Sequence, residues 1–161
     1  MSESGGGLDA ELRRRLKGRV LLIGAGNILR GDDSAGPALV GLLEGKVGAS
    51  VLDAGEMPHN HLSRILDAQA DTIVFLDAAN FGAPPGSVAI LEAADIASRS
   101  ISTHQMPMDL FFRYIKQNSQ ADIFALGIQP AQIGFGEPMS PAVEEAVKAL
   151  AELLRFLLPP V

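Results

Sequence analysis

Leu21-Leu22-Ile23-Gly24-Ala25-Gly26-Asn27-Ile28-Leu29-Arg30-Gly31-Asp32-Asp33-Ser34-Ala35-Gly36 reads as a buried strand, a glycine-rich loop and two adjacent aspartates at the opening of a helix. The apolar run from Val20 to Ile23 suits a parallel strand covered on both faces. The glycines after it let the backbone turn tightly and come close to a neighbour. A loop at the carboxyl end of the first strand is a usual place for function in an α/β sheet.

The pattern repeats outward from this stretch. Ala35 to Leu43 reads as a packed helix with Pro37 in its first turn. Ser50 to Leu52 is a short second strand that ends in Asp53-Ala54-Gly55-Glu56, and Pro58 to Ala68 has helical spacing at Leu62, Ile65 and Leu66. Thr72 to Leu76 is a third strand, ending at Asp77. Alternation of strands and helices is the mark of a parallel sheet with crossover helices. The connection from Ala78 to Gly86 is too short for a crossover, so Ser87 to Leu91 is expected to run antiparallel at or near an edge. Further on come a short helix from Ala94 to Arg99, a polar break at Ser102-Thr103-His104 and an amphipathic helix from Pro107 to Lys116. Asp122 to Ile128 is the last strand, and a Gly, Pro and Gln loop runs from Gln129 to Met139. A helix then starts with Ser140 as cap, Pro141 at its first position and Glu144 and Glu145 near its start, and runs to about Leu157. The expected fold is a single-domain three-layer α/β sandwich. Its sheet is five-stranded, twisted and mostly parallel, with one antiparallel strand and helices on both faces. Residues 1–18 read as a disordered or helical leader, with a tail over Met1 to Gly7 and a short charged surface helix over Leu8 to Lys17; residues 19–158 read as the domain.

Composition narrows the function. A net charge of −6 argues against a nucleic-acid partner, which needs a basic face. The absence of cysteine excludes disulfides, thiolate catalysis and cysteine-ligated metal centres. No apolar run approaches the roughly 20 residues of a membrane span, and Met1 to Gly7 lacks the apolar core of a signal peptide, so the chain reads as cytoplasmic.

The glycine loop begins like a dinucleotide site, with Gly24-x-Gly26 after a strand and Asp53 where a ribose-binding acid would stand. Leu29 occupies the third glycine position, however, and Asp32 and Asp33 would repel a pyrophosphate. No Gly-Lys-Ser/Thr of a Walker loop and no Gly-x-Ser-x-Gly of a serine hydrolase occurs. Any one aspartate at a strand end serves equally well as a helix cap or turn former. Asp77 alters the weighing, because the third strand carries it to the same sheet edge as the loop ending in Asp33. His104 precedes a helix, whose amino end favours the neutral, metal-binding imidazole; a lone histidine is also compatible with an ordinary hydrogen-bonding role. Asp33, Asp77 and His104 would together offer two oxygens and one nitrogen with coordination positions left open. His59 and His61, two residues apart, would not share a helical face and read as surface or capping residues.

Several blocks resemble a known family. Gly26-Asn27-x-Leu29-x-x-Asp32-Asp33-x-x-Gly36 is similar to the amino-terminal motif of the [NiFe]-hydrogenase maturation endopeptidases. Val74-Phe75-Leu76-Asp77-Ala78, Thr103-His104-Gln105-Met106-Pro107-Met108, and Leu126-Gly127-Ile128-Gln129-Pro130 with Gly134-Phe135 resemble that family's later blocks, in the same order. The Thr-His-x-Met-Pro and Gly-Ile-Gln-Pro forms look most like the branch that processes the large subunit of hydrogenase 3. The resemblance implies a cytoplasmic peptidase, grouped with the aspartic type, that removes a carboxyl-terminal extension from the hydrogenase large-subunit precursor after nickel insertion. It implies that Asp33, Asp77 and His104 form the catalytic and metal-contacting set, with the nickel carried by the precursor and no nucleotide. Asp32, Gly26, Asn27 and Asp53 would support the ligands or line the cleft. Asp53-Ala54-Gly55 departs from the family, where two glycines commonly follow the acid. The expected partner is the precursor, with no nucleic acid and no membrane, and the enzyme is expected to be a monomer. The rival readings are a metal-sensing chaperone that holds the precursor without cutting it and a metallohydrolase with its own zinc.

Overall fold

The computed structural model describes residues 7–98 and 108–161. Its sheet has five strands in the order β2-β1-β3-β5-β4, with β1 Val20–Ala25, β2 Ser50–Gly55, β3 Thr72–Ala78, β4 Val88–Leu91 and β5 Asp122–Ile128. β1 pairs in parallel with β2 and β3, β3 in parallel with β5, and β4 lies antiparallel to β5 at the edge. The antiparallel edge strand expected from the short Pro84-Pro85-Gly86 connection is therefore present. The helices are α1 Gly7–Arg15, α2 Ala35–Leu43, α3 Leu62–Asp67, α4 Ala93–Ser98, α5 Met108–Asn118 and α6 Pro141–Leu157.

Strand alternation sorts the core into two layers. Leu22, Val74, Leu76, Phe124 and Leu126 face α2, α6 and Leu12 of α1. Ile23, Ile73, Phe75, Ile123 and Ala125 face Ile65 of α3, Ile96 of α4 and the aromatic side of α5. Phe75 packs edge-on to Phe111 with ring centroids 4.9 Å apart and at a tilt to Phe112 at 5.5 Å. These contacts fix the start of α5 against the sheet.

Some boundaries differ from the sequence expectations. β2 continues to Gly55 because it keeps pairing with β1 across a bulge at Ala54, between the Gly24–Asp53 and Ala25–Gly55 pairs. The helix expected from Pro58 opens as a 3-10 turn over Pro58–His61, whose last residue, His61 (φ −112°, ψ 13°), breaks the helical run before α3. Asp32 and Asp33 likewise lie in a 3-10 turn, Gly31–Ser34, ahead of α2 rather than in the α-helix itself. The charged helix near the amino end lies on the surface, as its charge leads one to expect, but is anchored by Leu12, which is fully buried against the core. The tail over residues 1–6 lies outside the described residues, as does the polar break at Ser102-Thr103-His104. Among the described residues, no helix is long and apolar enough to cross a membrane.

Candidate active site

The chain leaves β1 through α2 to reach β2 on one side, and returns through α3 to β3 on the other side of β1. The carboxyl ends of β1 and β3 thus flank the topological switch point, where the crossover connections diverge and leave a crevice. The start of α2 sits hard against both ends. A Cβ on Gly36 would lie 2.5 Å from the Leu76 carbonyl oxygen and would collide with the Ala25 carbonyl. Only glycine lets the helix approach this closely, and the approach delivers Asp33 to the crevice.

Asp33 is 2% exposed and Asp77 is 5% exposed. An Asp33 carboxylate oxygen accepts the Asn27 N–H at 2.8 Å. Gly26 makes that turn possible: it sits at φ 141°, and any Cβ there would collide with the Asp33 carbonyl oxygen. Asp77 lies inside the ladder, opposite Gly127 of β5, and shares its face with Ile73 and Phe75. Burial raises its pKa well above the ordinary carboxylate range, and the charge of Asp33 raises it further; the Ala78 N–H pulls the other way. Its Oδ1 is buried without a hydrogen-bond partner among the described residues.

Asp32 points elsewhere. Although fully buried, its carboxylate accepts the N–H groups of Ala131 at 2.8 Å, Gln132 at 3.0 Å and Ser140 at 2.6 Å, and the Ser140 hydroxyl at 2.8 Å. It clamps the loop after β5 onto the loop after β1. Ser140, expected as a helix cap, occupies the capping position but makes no side-chain bond to α6, because its hydroxyl is committed to Asp32. Gln129 does the matching work on the other side. Its Oε1 accepts the N–H groups of Phe81 at 2.8 Å and Ala83 at 3.2 Å, and its Nε2 donates to Asn80 Oδ1 at 3.1 Å, which fixes the loop that follows Asp77. Sequence reasoning gave neither Gln129 nor Ser140 these tasks; the signal for Gln129 was a polar side chain directly after an apolar strand.

The remaining candidates separate. Asp53 is exposed and accepts the Gly55 N–H at 3.1 Å, so it shapes its own turn. His59 is exposed and His61 half-buried, both in the Pro58–His61 turn. His104 lies outside the described residues. Among the described residues, no third His, Cys, Asp or Glu joins Asp33 and Asp77 in a metal-sized group.

Two buried carboxylates in contact through their charges cannot both ionise cheaply. Either one keeps a proton, giving an acid beside a base, or a cation enters between them. Among the described residues the Oδ1 of Asp77 has no hydrogen-bond donor, and such an oxygen can take either a proton or a divalent ion.

A buried carboxylate pair at the switch point of a small doubly wound sheet is a site whose chemistry suits a proton or a cation. The chain belongs to the hydrogenase maturation protease family: the family model described as HycI, hydrogenase maturation protease, matches residues 40–155. The hydrogenase 3 maturation protease of Escherichia coli K12 is 33% identical over 141 residues, covering 83% of this chain and 87% of that protein. The crystal structure of a [NiFe] hydrogenase maturation protease, HycI from Thermococcus kodakarensis KOD1, superposes with a TM-score of 0.84 at 32% identity, over 92% of this chain and 98% of the other. The solution structure of the endopeptidase HycI from Escherichia coli gives 0.77 at 29% identity, over 86% and 90%.

Proposed function

We propose that this chain is an endopeptidase that removes the carboxyl-terminal extension of a nickel-loaded [NiFe]-hydrogenase large-subunit precursor, and that it acts in the cytoplasm as a monomer. The observation that carries the reading is the buried Asp33–Asp77 pair at the switch point, with an Asp77 oxygen that no described residue hydrogen-bonds, in a chain of the maturation protease family. Nickel arrives as part of the substrate. Asp33 and Asp77, joined by His104, contact it there and so read whether the precursor has been filled.

Cleavage adds water to the scissile carbonyl, breaks the C–N bond and delivers a proton to the departing amine. A metal held near that carbonyl polarises it or lowers the pKa of the attacking water. Whichever of the two carboxylates does not contact the metal at this step takes a proton from the attacking water as general base and passes it to the departing amine. In the free protein burial and the charge of Asp33 hold a proton on Asp77, and a cation that enters displaces it.

The test is cleavage of nickel-loaded and nickel-free precursor by wild type, Asp33→Asn, Asp77→Asn and His104→Ala, with the released tail identified by mass spectrometry. Wild type should cut only the loaded form, and each variant should lose on the order of a hundredfold or more in rate. Equal cutting of both precursors would remove nickel from the recognition step. Full activity in all three variants would remove the site.

A further inference from the structure

Two loops at the site edge are sewn together and carry an apolar face outward. The loop after β1 and the loop after β5 share three backbone bonds: Asp32 N–H to Gln132 O at 2.8 Å, Gly31 N–H to Glu137 O at 3.0 Å and Gly136 N–H to Leu29 O at 2.7 Å. The buried Asp32 carboxylate fastens them from beneath. On the outside, Ile28 and Phe135 are each 72% exposed, Leu29 is 55% exposed and Ile133 42%. The Gly136–Leu29 bond puts Leu29 one residue from Phe135, and Ile133 lies beside Gly31, so the four exposed residues stand on joined stretches of the two loops, a rim at the site edge. Large apolar side chains held out by a rigid scaffold mark a contact surface, whereas single scattered ones need no explanation.

We propose that this rim is where an apolar face of the folded large-subunit precursor docks while its tail is cut, an inference that rests on the function proposed above. Continuity with the site identifies the occupant. Asn27, whose N–H holds the Asp33 carboxylate, is followed directly by Ile28 and Leu29, so a protein threaded toward Asp33 and Asp77 crosses the rim. A second copy of this chain on the same surface would cover the carboxyl edge of β1 and shut the site it belongs to. Preformed docking of this kind needs no ordering of the enzyme's loops on binding, because their hydrogen bonds are already made.

The experiment compares binding of purified nickel-loaded precursor to wild type, Ile28→Ser/Phe135→Ser, Phe135→Leu and Phe156→Ser, with cleavage followed in parallel. Phe156 is the matched control: it is 70% exposed, but it lies near the far end of α6, at the opposite edge of the sheet. The double variant should weaken binding roughly tenfold or more with unchanged circular dichroism and melting. Phe135→Leu should keep most of the affinity, and Phe156→Ser should match wild type. Equal binding by the double variant and wild type, with wild type cutting the precursor, would overturn the docking surface and leave the peptidase reading intact. Wild type that binds through the rim without cutting would do the reverse. A wild-type dimer that the double variant converts to monomer in sedimentation would assign the rim to a second copy and overturn the proposal.

Discussion

Asp77 carries a folding cost at neutral pH. In the unfolded chain its carboxyl titrates near 3.8, whereas in the fold burial and then the Asp33 charge hold the proton to higher pH. The folded state therefore binds more protons than the unfolded state between those two values. The stability this group contributes is fully present below the unfolded value and is lost as pH rises through the folded one. Asp77→Asn keeps the shape, keeps an acceptor for the Ala78 N–H and removes the titration. It should melt at a higher temperature than wild type at about pH 8, with the gap closing toward about pH 4, while cleavage is lost. Melting followed by circular dichroism across that range checks this; a variant less stable than wild type at neutral pH would mean that the buried charge is compensated. Asp32 is the opposite case. Its carboxylate answers three backbone N–H groups and one hydroxyl, so Asp32→Ala leaves buried donors empty. The expected loss is about 3–5 kcal/mol, or roughly 10 °C in melting temperature. Chemical denaturation measures it, and a loss under about 1 kcal/mol would show that the loop re-pairs with water.

Elements explain why these adjacent aspartates could not be told apart from the sequence. Strands were legible because Val20–Ile23, Thr72–Leu76 and Asp122–Ile128 are apolar runs bounded by turn residues, and the Pro84-Pro85-Gly86 link could not span a parallel crossover. The sheet edge that bears Asp77 followed from the strand. What the chain does not announce is which carboxylate of Asp32-Asp33 turns to the crevice. That choice is made by the 3-10 turn over Gly31–Ser34 and by Ser140, 108 positions away, and no local pattern encodes a partner at that distance. Ser140-Pro141 carries every mark of a helix cap, and the backbone obeys it, yet the hydroxyl serves a different loop. Leu12 was hidden similarly. It stands among Asp9, Glu11 and the arginines of α1, a charged setting that gives no sign of core, and α6 packs beside it.

At the scale of the molecule, the two edges of the sheet do different work. The carboxyl edge of the parallel strands holds Asp33, Asp77 and the rim. The amino edge holds the anchor of α1, where Arg15 donates from Nε and Nη2 to Asp122 at 2.8 and 3.0 Å and from Nη1 and Nη2 to Glu92 at 2.6 and 3.2 Å. Its guanidinium also lies 4.3 Å from the centre of the Phe124 ring. Asp122 opens β5 and Glu92 follows β4, so one side chain ties the first helix to two strands remote from it in sequence. The acids are partly exposed, which screens the pairs, but forked geometry and the aromatic face raise their worth above that of an ordinary surface pair. Arg15→Met, which keeps the aliphatic stem over Phe124, should cost about 1–2 kcal/mol, or roughly 3–6 °C in melting temperature. The deficit should narrow at about 1 M salt, where wild type loses part of the same interaction. Precursor cleavage below the melting range should remain at the wild-type rate, because nothing in the anchor reaches the carboxyl edge. Melting at two salt concentrations together with a cleavage assay separates the outcomes. A loss of cleavage with intact folding would show that α1 transmits to the site through the sheet, and a deficit unchanged by salt would assign the anchor to packing rather than charge.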